Sequence, residues 1–155
     1  MQKAIILSNV ETTEEEFKLL RDTDVYKLAL NYHASKYNPD ARIFTDYVDL
    51  INVHQTFPND AIYTVRCKPL RPIKNVETVD IEFKGSTIIA AIDFLIKCNT
   101  ENILLVADNT VHSQNFRDEI NKNILSLKTN MHIYQFKVGN FPLPTVNVRD
   151  FLWNI

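Results

Sequence analysis

Glycine is nearly missing from this chain: two occur in 155 residues, Gly85 and Gly139. Two cannot write the three-glycine dinucleotide fingerprint, and at that separation they cannot write a P-loop. Cysteine is equally scarce, and Cys67 and Cys98 cannot supply a four-cysteine zinc site. The sequence does not support a bridge between them, and both read as small packing residues. No stretch approaches the ~20 apolar residues of a membrane span, and the longest, residues 88–96, is interrupted by Asp93. The apolar run at 4–7 is too short for a signal-peptide core, and no small-residue cleavage site follows it. Positive charge is not in excess either: 17 Lys and Arg stand against 19 Asp and Glu, a net charge of −2. That balance argues against a nucleic-acid partner, whose footprint is strongly basic. The expectation is a cytoplasmic protein with reduced thiols and no membrane span. Serine-nucleophile elbows, zinc-binding helices and paired-cysteine motifs are also missing.

What remains is a folded, soluble composition, 45% apolar and 23% charged. The length suits a single domain spanning residues 1–155. Residues 4–7 form a short continuous apolar run, the pattern of a strand buried on both faces. Thr13 followed by Glu16 fits a capping box opening a helix to about Arg21, with Phe17 and Leu20 inward. Residues 25–30 read as a second strand. Residues 32–37 read as one or two helical turns stopped by Asn38-Pro39. A third strand follows at 41–45, an ambiguous segment at 49–53, and a strand at 61–66 suited to the sheet's edge. Residues 68–74 carry Pro69 and Pro72 and read as a loop between two halves of the domain. Beyond it, 86–98 has helical spacing at Ile88, Ile89, Ile92, Leu95 and Ile96. A strand at 102–107, an amphipathic helix at 113–128, a strand at 131–136 and a short helix capped by Asn147 complete the chain. Asparagine is abundant and suits the turns that glycine would otherwise make. Strands alternating with helices give an α/β fold, a three-layer, mainly parallel, Rossmann-like sheet with helices on both faces.

Sheets of this class bind ligands beyond the carboxyl ends of their strands, at a topological switch point. Asn9 follows the first strand, Asn31 the second, and Thr45 and Asp46 the third. Ser86 opens the long helix, and Asp108 follows the next strand, with His112 shortly after. Converging on one crevice, these residues would offer mostly neutral hydrogen bonding, a helix N-terminus suited to an anion, and an imidazole suited to general-base work. Each also has a simpler reading as a turn residue, a helix cap or a loop histidine. His33, His54 and His132 show no metal-ligand spacing and read as surface or core residues. Phe141, Phe151 and Trp153 read as a cluster in the core or at a contact with a second copy, and the second of these would make a homo-oligomer.

The strand-end residues resemble those of the bacterial lipooligosaccharide sialyltransferases and the related motility-accessory glycosyltransferase-like proteins. Lys3-Ala4-Ile5-Ile6-Leu7-Ser8-Asn9 is similar to the family's first strand, and Asp24-Val25-Tyr26 leading to Asn31 to its second. Gly85-Ser86-Thr87 resembles the family's helix-opening segment, and Asp108 with His112-Ser113 its strand-end acid and catalytic histidine. The resemblance implies metal-independent transfer from a cytidine-monophosphate (CMP)-linked sugar, without a cofactor. It implies His112 as general base, Asn9 and Asn31 near the nucleotide and phosphate, and Ser86 at the donor's carboxylate. Thr45 or Asp46 stands near a further family asparagine. The family's Gly-Pro-Ser turn after the first strand is replaced by Val10-Glu11-Thr12, and its tyrosine-bearing lid between acid and histidine is reduced to Asn109, Thr110 and Val111. The alternative expectation is therefore a lidless, non-catalytic relative acting as a binding or assembly module in surface-glycan biosynthesis.

Overall fold

The computed structural model describes residues 1–81, 85–127 and 131–155. Seven strands form one sheet: β1 Lys3–Leu7, β2 Tyr26–Leu30, β3 Ala41–Phe44, β4 Ala61–Thr64, β5 Val76–Thr78, β6 Asn102–Val106 and β7 His132–Gln135. Their order is β5-β4-β3-β2-β1-β6-β7, and every neighbouring pair runs parallel. The chain winds outward from β1 to β5, then crosses back to lay β6 against the other side of β1. The winding reverses between β1 and β6, which is the switch point of this sheet.

Helices α1 (Glu14–Asp22), α2 (Leu50–Thr56), α3 (Thr87–Lys97), α4 (Gln114–Leu127) and α5 (Val148–Trp153) cover the sheet. Side chains alternate along each strand, so the inner strands feed two cores. Ala4, Ile6, Leu28, Leu30, Ala41 and Ile43 pack beneath α3 and α4. Ile5, Leu7, Ala29, Leu104 and Val106 pack against α1 and α5 on the other face. Phe44 and Ile62 continue that second face under Val53 of α2. This is the three-layer, Rossmann-like α/β arrangement, with a helix layer on each side of the sheet. Among the described residues no helix is long and apolar enough to cross a membrane.

Several boundaries differ from the expectation for physical reasons. Residues 32–37 hold only a single 3-10 turn at Ser35–Tyr37. Asn31 and Ala34 both adopt left-handed backbone, φ 52° and 64°, which right-handed helix cannot continue through. The segment at 49–53 resolves as α2, with the Asp49 carboxylate accepting from the amides of Ile51 and Asn52. The proline loop at 68–74 joins β4 to β5 within the same sheet, so β4 lies one strand in from the edge. The end expected for the long amphipathic helix, Lys128, lies outside the described residues. The aromatic cluster is split: Phe141 packs in one core and Phe151 in the other. Of the three, only Trp153 is exposed toward any second copy. Cys67 and Cys98 are both free thiols.

The scarcity of glycine has a visible consequence. Six non-glycine residues among those described adopt positive φ, and five are asparagines: Asn31, Asn38, Asn75, Asn99 and Asn140. Asparagine tolerates left-handed backbone better than any residue but glycine, because its short amide bonds locally.

Lys27 is buried in the second core, 4% exposed. Its ammonium donates to the carbonyls of Leu20 and Arg21 at the end of α1 and of Tyr37, at 2.8–3.1 Å. Three donors meet three acceptors, two of them orphan carbonyls of a helix C-terminus. Burial pushes its pKa below the usual lysine range, with Asp40, Asp22 and Asp24 pulling the other way. Lys27→Met keeps the stem but strands three carbonyls. It is expected to cost about 3 kcal/mol, a fall in melting temperature of roughly 6–12 °C by calorimetry.

Candidate functional site

A crevice of about 290 Å³ opens at the carboxyl ends of β1, β2, β3 and β6 and at the start of α3. Asn9, Asn31, Thr45, Asp46, Ser86, Asp108 and His112 all line it. The parallel sheet explains the convergence. Residues directly following adjacent parallel strands emerge at one edge, and α3 enters over that same edge. Ser8, whose amide donates to Val106 O at 2.9 Å, ties the loop after β1 to the end of β6 at the switch point.

The seven residues differ in what they leave free. Asn31 holds its turn through the backbone: its amide donates to Ile43 O at 3.0 Å, and its carbonyl accepts from Arg42 at 3.1 Å. Its side-chain amide has no protein partner among the described residues. Asp46 is exposed at the rim. Thr45 is buried and shares a 2.7 Å hydroxyl contact with Thr87 in the first turn of α3. Ser86 caps α3, its Oγ accepting from the amide of Ile89 at 3.4 Å. Gly85 precedes it at φ 73°, the conformation in which glycine is least strained. The first amides of α3 have no intrahelical acceptor, and the helix end carries partial positive charge.

Asp108 closes the turn leading to His112. One of its oxygens accepts from Thr110 N at 2.9 Å and Thr110 Oγ1 at 2.6 Å. Burial alone raises its pKa, but those bonds, a bond from Asn140 and the nearby His112 together hold it below the ordinary carboxylate value. His112 follows a single 3-10 turn, Asn109–Val111. Its ring meets Phe116 edge-on at 4.8 Å between centroids. Burial lowers its pKa, and the Asp108 charge opposes that shift without overcoming it. The imidazole is therefore neutral at pH 7, with a lone pair available to accept a proton.

Asn9 behaves differently from its sequence reading. Its carboxamide oxygen accepts from Ala34 N at 3.1 Å, and its nitrogen lies 2.7 Å from His33 Nδ1. His33, read from sequence as a surface or core residue, also lines the crevice. It stands two residues past Asn31 on the same strand-end loop, and that proximity was the available signal. The lining contains, among the described residues, two carboxylates, Asp46 and Asp108, and no lysine or arginine. Among the described residues, no group of three or more His, Cys, Asp or Glu side chains is placed to hold a metal ion. The arrangement offers a ligand at the strand ends neutral donors, a helix N-terminus and the His112 imidazole. Compared with known protein families, curated proteins and solved structures, the chain matches none.

Proposed function

We propose that the crevice binds a CMP-linked sugar and that the protein is a metal-independent, sialyltransferase-like glycosyltransferase with His112 as general base. The observation supporting this most is a half-buried imidazole sharing one switch-point crevice with a helix N-terminus and the free Asn31 amide. A cytosine edge, a phosphate and a carboxylate call for donors and helix dipoles more than for charged catalysts. In the step itself, His112 takes the proton of the acceptor hydroxyl. The oxygen attacks the anomeric carbon, the bond to the phosphate oxygen breaks, and CMP departs with the electron pair. The crevice volume is at the low end for small-molecule sites (~300–1,000 Å³), so it suits the nucleotide portion, with the sugar at the open rim.

One observation favours the second reading, a non-catalytic binding module in surface-glycan assembly. Only one short turn separates Asp108 from His112, and Val111 within it is 74% exposed. That segment is too short to cover His112, and an uncovered site admits water to a labile donor.

The enzyme reading, and the second reading where the module acts by binding a nucleotide, require CMP to bind the crevice; an assembly role does not. At CMP near 100 times its Kd, the folded state is expected to gain about 2.7 kcal/mol, raising the melting temperature by roughly 5–10 °C. No shift at millimolar CMP, together with no donor hydrolysis, sinks the enzyme reading and leaves the module an assembly role without a nucleotide. Turnover of a CMP-linked donor that is lost in His112→Ala selects the enzyme; binding without turnover selects the module.

A further inference from the structure

The pair formed by Asn9 and His33 has no part in the step written for His112, yet its geometry is tightly specified. The amide of Ala34 can only donate, so the atom it meets on Asn9, at 3.1 Å, is the carboxamide oxygen. The other end of the Asn9 amide is then the NH2 group, which can also only donate. It lies 2.7 Å from His33 Nδ1. Nδ1 must therefore hold a lone pair, and the proton of the neutral ring sits on Nε2. No side chain or backbone group among the described residues accepts from Nε2, and the ring lines the crevice.

The loop that carries this ring is built to hold it. Asn31 and Ala34, both left-handed, bracket Tyr32 and His33. Left-handed backbone is strained at an alanine, and such strain persists only where surrounding contacts over-determine it. Those contacts are present. His33 N donates to Leu30 O at 3.0 Å, and the buried Arg42 donates to the carbonyls of Asn31 and His33 at 3.1 and 2.6 Å.

Among the described residues, those lining the crevice include no lysine or arginine, and the ring's Nε2–H is a free donor facing into it. We propose that His33 Nε2–H contacts an anionic oxygen of the ligand, and that Asn9 is the positioning residue fixing the ring's tautomer. This rests on the nucleotide-binding reading for the identity of the ligand, but not for the tautomer. Asn9 thereby acts through His33, and its own amide need not touch the ligand.

Two measurements test the proposal. Two-bond proton–nitrogen correlation spectra of the imidazoles, in the free protein at pH 7.5, should show His33 Nδ1 unprotonated and Nε2 carrying hydrogen. In Asn9→Asp the carboxylate still accepts from Ala34 but must also accept from the ring, so Nδ1 should become an N–H. A protonated Nδ1 in the wild type overturns the proposal. The second measurement compares CMP with cytidine, which lacks the phosphate. His33→Phe should lower the preference for CMP over cytidine about tenfold or more, the loss of one hydrogen bond to a charged group, and leave cytidine binding unchanged. CMP binding with an unaltered preference defeats the role of His33 while the nucleotide reading stands. If neither nucleotide binds, that reading fails, and inorganic phosphate and free sialic acid become the probes. A shift of the His33 Nε2 resonance with either one supports the anion contact and identifies its source; no shift with any probe defeats it. Direct observation of that resonance also decides the matter should His33→Phe not fold.

Discussion

Replacing Arg42 with methionine is expected to lower the stability of the fold by about 3–5 kcal/mol, the range for breaking a buried ion pair from one side. For a chain of this length that is a fall of on the order of 10–15 °C in melting temperature. Arg42 is 1% exposed on the strand β3. Its Nε donates to Asp60 at 2.8 Å, one terminal nitrogen donates to the carbonyls of Asn31 and His33, and the other to Ser35 Oγ at 2.8 Å. The guanidinium plane lies over the Phe57 ring, 3.7 Å from its centroid. Methionine fills similar volume but leaves a carboxylate unpaired and two carbonyls without a donor. The damage should fall on the crevice as well as on stability, because the stranded carbonyls belong to the loop bearing Asn31 and His33. Arg42→Lys should recover less than half of the loss, since one ammonium cannot reproduce a planar fork of donors. Thermal unfolding followed by circular dichroism gives the first number, and the imidazole spectrum of His33 reports the loop. A methionine variant melting within 2 °C of the wild type would contradict this account.

Arg42 and Lys27 also mark where local sequence patterns stop being informative. The strands around them were legible because runs such as Ile5-Ile6-Leu7 and Ile103-Leu104-Leu105 are apolar on both faces, as a doubly covered parallel sheet demands. The helix at Thr13 was legible because the capping box is written in adjacent residues, and both of its bonds form. A cation inside a strand carries no local sign of its destination. Lys27 reaches carbonyls in α1 and beyond, and Arg42 reaches across to Asp60 and the loop after β2. Strand β5 stayed invisible because it has three residues, two of them exposed, and no alternating pattern. The single turn at Ser35–Tyr37 was overestimated because left-handed backbone at an alanine has no local marker.

The crevice divides in the same way. Its location followed from strand order and the switch-point rule, and the seven strand-end residues do line it. The allocation of their hydrogen bonds did not follow. Asn9 looked like a ligand contact, whereas its amide is engaged by Ala34 and by a histidine 24 positions along the chain. The placement of His33 depends on that long-range bond and on two left-handed backbone conformations, none of which its sequence neighbours mark.

For the enzyme reading, His112→Ala is expected to lower turnover of a CMP-linked donor by about 10²–10⁴-fold, the usual contribution of a general base, with little change in CMP affinity. The pH profile then identifies the group. Burial holds the His112 pKa below the ordinary imidazole value of about 6.5. The wild-type rate should therefore be flat from pH 7 to 8 and fall below the ordinary imidazole range, as the base becomes protonated. The Asp108 charge works against the burial effect, so Asp108→Asn should move the acid limb to still lower pH. Asparagine retains an acceptor for the Thr110 amide, which keeps the turn. Stability carries the same sign: between the folded and unfolded pKa values the unfolded chain binds more protons, so folding is favoured as pH rises and loses that contribution on acidification. His112→Ala should remove this pH dependence along with the turnover. An acid limb that stays in place in Asp108→Asn would assign the titration to another group and leave His112 without its role as base.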